Sequence, residues 1–154
     1  MPTPSILVFI AAAHAVPGGI RPVTATVPPA PATIEELARQ LDDSDRPTRL
    51  LAARELKRRV RVAAKAGGRP GSLAELEARA EMAALTRATL PACISVLSDP
   101  GLVLPCADIL SRLAEAEACE PLRVARAGSE RRRVTEAIDR ALERLGETCP
   151  AAEK

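Results

Sequence analysis

Aromatic residues are almost absent from this chain of 154 residues: it has no Trp or Tyr, and Phe9 is its one Phe. A hydrophobic core must therefore be built from Leu, Ile, Val and Ala, which make up most of the 47% hydrophobic fraction. Ala and Leu, together with the abundant Arg and Glu, are strong helix formers. The composition predicts an all-α protein, and it offers no aromatic surface beyond Phe9 on which a nucleic-acid base could stack.

The groups that enzymes use most often are also missing. His14 is the single histidine, so the rest of the chain lacks the most common general base and transition-metal ligand. The glycine-rich segment 67–71 lacks the lysine and the spacing of a phosphate-binding P-loop, and we interpret it as a turn between helices. Asp42, Asp43 and Asp45 are interpreted as helix caps. We therefore predict no catalytic residue, no metal site and no cofactor.

Positive charge is missing from the first four residues, where an export signal usually carries it. Residues 5–16 nevertheless form an apolar run, too short for the roughly 20 residues that span a bilayer, and residues 13–15 fit the small-x-small cleavage pattern. We interpret residues 1–15 as a signal peptide; the alternatives are a buried N-terminal strand or a start codon assigned too early. Residues 16–32 contain five prolines and two glycines and predict an extended tether. We expect no transmembrane span.

Apolar residues at helical spacing follow one another from Thr33 to Gly146. Capping boxes at Thr33 and Ser72 mark two helix starts, and short turns rich in Asp, Gly and Pro separate the helices. The signals group into three helical hairpins, over residues 34–66, 72–118 and 120–145. We therefore predict an all-α domain over residues 33–146, followed by a tail of residues 147–154.

Two finer expectations concern the helix that begins after Ser72. The spacing of its apolar residues places one set of side chains inward, namely Leu73, Leu76, Ala80, Ala83, Ala84 and Leu90. Pro91 is expected to kink or restart this helix, because a proline inside a helix removes one hydrogen bond and clashes with the preceding turn.

The segment from Asp43 to Leu56 places an Asp-containing turn before an Arg, two small residues and a Leu at helical spacing. In this it resembles the start of the second helix of a HEAT-type repeat, and a proline within a first helix, here Pro91, is also like that family. The match weakens in the later hairpins, where Leu104 and Thr135 stand at the position of the Arg. The resemblance implies a short α-solenoid of stacked hairpins that presents a surface to a protein partner. The alternative is an irregular helical bundle.

The four cysteines, Cys93, Cys106, Cys119 and Cys149, all lie in the C-terminal half of the chain. They form no CxxC motif, which argues against a zinc knuckle. Cys93 and Cys106 are equally far from the turn at residues 98–101 and would face each other across a hairpin. They are candidates for one disulfide, which would leave Cys119 and Cys149 for a second. An even count behind an export signal favours disulfides in an oxidising compartment; the alternative is small buried thiols in a reducing cytoplasm.

One cationic surface stands out, although the formal net charge of the chain is only +2. Five basic residues at helical spacing share a face of the second predicted helix: Arg54, Lys57, Arg58, Arg61 and Lys65. Such local clustering can attract an acidic protein, an anionic membrane surface or nucleic acid. Three acids of the next helix are expected to neutralise part of it: Glu75, Glu77 and Glu81.

Two functional hypotheses follow. The first is an exported, periplasmic or extracellular, non-catalytic protein-protein interaction module. The alternative is a cytoplasmic helical protein that binds nucleic acid or another polyanion through the basic helix face. The shortage of aromatic residues argues against nucleic acid, because only attraction to the phosphates would remain.

Overall fold

The structure is a computed structural model, and it describes residues 32–66 and 70–149. The helices in these ranges are α1 (Ile34–Gln40), α2 (Arg46–Ala63), α3 (Leu73–Ser95), α4 (Val103–Leu113), α5 (Cys119–Ala127) and α6 (Arg132–Leu145). Two short 3₁₀ turns, Ala116–Ala118 and Gly146–Thr148, complete the regular structure of this part of the chain, which contains no strand. The predicted all-α fold is confirmed. The predicted signal peptide, nearly all of the tether and the last five residues of the tail lie outside the described residues.

Local side-chain caps begin three of the helices. The hydroxyl of Thr33 accepts a hydrogen bond of 3.1 Å from the amide three residues on, and Ser72 does the same at 3.2 Å. Asp45 caps α2 through an equivalent bond of 3.0 Å. Each cap satisfies an amide that the first turn of a helix leaves without a partner, so the helix starts follow directly from the sequence.

The helices pair in the predicted order, with α1 against α2, α3 against α4 and α5 against α6. Successive hairpins then stack, because α3 packs on α1, and α2, α4 and α6 follow one another as a second layer. The core lies between the layers and includes the fully buried residues Leu56, Leu110, Leu122 and Ile138. No helix within the described ranges is long and apolar enough to cross a membrane.

The N-terminal half of α3 differs from the prediction. Leu73 and Leu76 are 71% and 57% exposed, and Ala80 and Ala83 are exposed as well. The core contacts of α3 come from its C-terminal half, which carries the buried Leu85, Leu90 and Cys93. The physical reason is length: α3 has 23 residues, whereas α1 has 7 and α4 has 11. α2 also packs on α3 but has only 18 residues, and the first turns of α3 stay largely exposed. The helix runs unbroken through Pro91, so the predicted restart does not occur.

The third hairpin is closed by a disulfide between Cys119, at the start of α5, and Cys149, just after α6. The Cα atoms of the two residues are 5.6 Å apart, and they are 30 positions apart in sequence. The bond joins the two ends of the hairpin opposite its internal turn.

The other cysteine pair carries no bond in the structure, and the Cys93–Cys106 disulfide stays a prediction from the sequence. Cys93 and Cys106 are both free thiols and both fully buried. Hydrogen bonding to Cys106, followed by burial, raises the pKa of the Cys93 thiol well above its usual value. The two residues therefore pack as small hydrophobic side chains between α3 and α4.

Candidate interaction surface

Four of the five basic residues identified in the sequence lie on one side of α2, and the fifth, Lys65, follows in the turn just after it. We call the five residues the basic face: Arg54, Lys57, Arg58, Arg61 and Lys65. All are exposed except Lys57, which is half-buried. The other side of α2 carries Leu56 and Val60, which are fully buried in the core. The same 3.6-residue periodicity therefore separates a packed side of the helix from a charged one.

Asp108 on α4 forms the centre of a larger cluster that adjoins the basic face. Its carboxylate is contacted by four cationic groups: Lys57 Nζ to Oδ2 at 3.2 Å, Arg61 Nη2 to Oδ2 at 3.9 Å, Arg112 Nε to Oδ2 at 3.3 Å, and Arg144 Nη1 to Oδ1 at 3.1 Å. The four side chains come from α2, α4 and α6, the three helices that form one layer of the fold. We call this set the Asp108 cluster.

The charges of the Asp108 cluster do not balance. Burial alone would raise the pKa of Asp108, but hydrogen bonds from Arg112 and Lys57 and the charges of both residues outweigh it, so the pKa lies below its ordinary value. The carboxylate is therefore ionised at neutral pH, and it compensates one of four positive charges. Three positive charges remain in excess around it. Arg61 and Arg144 keep about half of their side-chain surface exposed, at 49% and 52%, so the excess charge is accessible to solvent.

Arg58 is paired within its own helix. Its guanidinium group donates two hydrogen bonds to Glu55, at 2.8 and 2.7 Å, and Arg59 donates a third at 3.0 Å. The bond from Arg58 is the largest cause that lowers the pKa of Glu55 to about 2. Arg54 and Lys65 form no ion pair within the described ranges.

The acids expected to neutralise the basic face do not do so. Glu75 binds Arg79 and the amide of Gly71 near the start of its own helix. Glu77 and Glu81 are exposed, and neither pairs with a residue of the basic face in the described part of the chain. The compensating carboxylates are instead Glu55 and Asp108.

Sequence reasoning missed two cationic members of the Asp108 cluster. Arg112 lies four residues after Asp108, and this spacing does place the two side chains on one helix face. Arg144 is 36 positions from Asp108 and reaches it through the packing of α6 on α4. No local pattern in the sequence marks that contact.

Acidic residues of the described ranges serve as helix caps and ion-pair partners. No group of three or more His, Cys, Asp or Glu residues is placed there to hold a metal ion. Of the acidic run interpreted as caps, Asp45 is the N-cap of α2, and Asp43 accepts a hydrogen bond of 2.8 Å from the amide of Asp45. Hydrogen bonds from Thr48, first from its hydroxyl, lower the pKa of Asp45. The interpretation as a helix cap is therefore confirmed for Asp45.

Comparison of the chain with protein-family models, with curated proteins and with solved structures finds no match in any of the three. The resemblance to HEAT-type repeats over residues 43–56 thus stays a prediction from the sequence.

Proposed function

We propose that this protein is a non-catalytic interaction module that binds an acidic partner protein through the basic face and the Asp108 cluster. The observation that carries the proposal is the convergence of four cationic side chains from three helices on one carboxylate, with three positive charges in excess. Packing of α2, α4 and α6 holds these groups close together before any partner arrives. Preorganised charge of this kind favours association with an oppositely charged surface.

Carboxylate is the ligand chemistry that the surface already accommodates. Arg112 holds Asp108 through Nε, and Arg58 holds Glu55 through two donors, the paired geometry that guanidinium offers to carboxylates. Nucleic acid would also be attracted by the charge, but the chain has no aromatic residue after Phe9 for stacking bases. Acidic side chains of a protein therefore fit this surface better than nucleic-acid bases do.

We further propose that the protein is exported. The Cys119–Cys149 disulfide supports this, because stable disulfides are typical of oxidising compartments. The test is N-terminal sequencing of the protein isolated from its native cell. A mature chain beginning at Val16 is expected, and an intact Met1 would contradict cleavage and favour the cytoplasmic alternative.

Charge reversal tests the binding surface. Poly-L-glutamate serves as the acidic polypeptide and duplex DNA as the nucleic acid, with binding measured by titration calorimetry at two salt concentrations. We expect the parent chain to bind poly-L-glutamate, and Arg58→Glu with Arg61→Glu to reduce the affinity about tenfold or more. The fold should persist, since each ion pair lost on an exposed helix face contributes about 1 kcal/mol or less to stability.

The matched control reverses two arginines elsewhere. Arg132→Glu with Arg133→Glu changes the net charge equally, but these exposed residues lie at the start of α6, about 18 Å along the helix from Arg144. This variant should bind poly-L-glutamate nearly as well as the parent chain. An equal loss of affinity for poly-L-glutamate in both variants would show that only the net charge matters. That result would contradict binding through the basic face and the Asp108 cluster. Tighter binding to DNA than to poly-L-glutamate would favour the polyanion alternative.

A further inference from the structure

The third hairpin stacks on the rest of the fold along only one of the two layers. In that layer α6 packs on α4. In the other layer α3 stacks on α1, but α5 does not stack on α3 in the same way. Instead, α5 packs on α6 and on the 3₁₀ turn Ala116–Ala118. A cavity of about 810 Å³ occupies the space between the C-terminal end of α3 and α5. Its walls are mainly apolar and include Ile94, Leu97, Val103, Pro121, Val124 and Val134. Val124 is 62% exposed, so an apolar wall of the cavity is open to solvent.

One end of this cavity is cationic. Pro100 and Arg131 line both the large cavity and a second one of about 370 Å³, so the two spaces adjoin. The smaller space is also lined by Arg46 and Arg49. Arg49 is held by Asp99, with 2.7 Å between Nη1 and Oδ2. Neither Arg46 nor Arg131 forms an ion pair in the described part of the chain.

Three guanidinium groups therefore share the smaller space with one carboxylate, which leaves two positive charges in excess. The acids on the rim of the larger cavity are Glu120 and Glu130. Glu120 is paired with Arg123 at 3.5 Å, and both acids are exposed. The site thus combines an apolar space with a cationic end, and its volume lies in the range of about 300 to 1,000 Å³ that small-molecule sites occupy.

We propose that this cavity binds an aliphatic carboxylate, with the hydrocarbon chain against Val124 and its apolar neighbours and the carboxylate between Arg46 and Arg131. The charge of the two unpaired arginines selects the anionic head group, and the apolar walls select the chain. An extended peptide fits less well, because mainly apolar walls would leave most amides of the peptide without hydrogen-bond partners. An aliphatic chain carries no such groups.

The test is calorimetric titration of the whole folded protein with sodium dodecanoate below its micellar concentration, compared with 1-dodecanol. We expect one molecule of dodecanoate per chain and an affinity about tenfold higher than that for the alcohol, which keeps the chain but lacks the charge. Arg46→Ala with Arg131→Ala should abolish this preference while binding of the alcohol persists. Arg133→Ala, an exposed arginine that does not line the cavity, is the matched control and should change neither affinity.

A second variant tests the apolar wall. Val124→Asp places a charge on a residue that is already exposed, so the fold should persist, and dodecanoate should bind at least tenfold more weakly. Full retention of binding in this variant, equal affinities for acid and alcohol in the parent chain, or absence of saturable binding would each overturn the proposal. Displacement of dodecanoate by an apolar helical peptide of higher affinity would overturn the choice of an aliphatic ligand.

The outcome is independent of the proposed partner surface. Arg58 and Arg61 lie on α2 and do not line either cavity. We therefore expect the double variant Arg58→Glu with Arg61→Glu to leave dodecanoate binding unchanged. If this variant alone abolished dodecanoate binding, the carboxylate would sit on the basic face and the cavity site would be wrong.

Discussion

The Cys119–Cys149 disulfide is expected to supply a large part of the stability of this fold. The informative perturbation is Cys149→Ser. Cys149 is partly exposed, whereas Cys119 is 2% exposed and packs in the core. Changing Cys149 removes the covalent bond and disturbs packing little, so the stability change reports the cross-link rather than a cavity.

The magnitude follows from the length of chain that the bond closes. The two cysteines are 30 positions apart, and restricting the unfolded chain by a loop of that size stabilises the folded state by about 3.6 kcal/mol at 25 °C in the chain-entropy description. For a domain of this size, that corresponds to a melting temperature lower by roughly 15 °C. The loss is a substantial fraction of the about 5 to 15 kcal/mol that stabilises a typical domain.

Urea unfolding followed by far-UV circular dichroism measures this change in the parent chain and in Cys149→Ser, each with and without dithiothreitol. We expect the reductant to destabilise the parent chain to about the level of the variant. It should leave the variant unchanged, because Cys93 and Cys106 are already free thiols. A variant as stable as the parent would refute the loop argument. Further destabilisation of the variant by reductant would show that Cys93 and Cys106 are bonded.

Two further predictions concern polar groups in the fold. Thr89 is fully buried, and its hydroxyl has no hydrogen-bond partner within the described ranges. Thr89→Val should therefore stabilise the protein by about 1 kcal/mol in urea unfolding. Thr86→Val, at a half-buried position of the same helix, is the control, and loss of stability in Thr89→Val would show that the hydroxyl of Thr89 does have a partner. Asp108→Asn should destabilise the protein by about 2 kcal/mol at neutral pH and low salt, because it leaves the cations of the cluster facing one another. The folded-state pKa of Asp108 is lowered, so its contribution is present above the unfolded pKa of about 3.9 and is lost as the pH falls through the folded value. The stability difference should therefore shrink below about pH 4, and a difference that stayed constant there would contradict an electrostatic origin.

Helix starts and the charged side of α2 could be predicted because both depend on neighbours in sequence. Thr33, Asp45 and Ser72 each bind an amide three residues on, a contact that exists as soon as the first turn forms. The members of the basic face are likewise placed together by helical spacing alone. Hairpin order followed from the short turns, since helices joined by a few residues pack side by side.

Burial along α3 could not be predicted in the same way. Leu73 and Leu76 have the periodicity of a core face, but burial requires a second helix to cover them, and α1 is too short to do so. Periodicity states which residues share a face, and only the lengths and positions of the other helices decide whether that face is covered.

Tertiary packing also decided the charge pairs and the state of the cysteines. The sequence contains several acids that could pair with the basic face. Because α4 packs between α2 and α6, Asp108 contacts that face, and Arg144 of α6 contacts Asp108 although it is distant in sequence. Cys93 and Cys106 are symmetric about their turn, and both lie buried in the core without a bond between them. The sequence by itself determined the contacts made within one or two helical turns. Contacts across helices depend on the relative placement of whole helices, which is fixed by the summed packing of many side chains and by no short pattern.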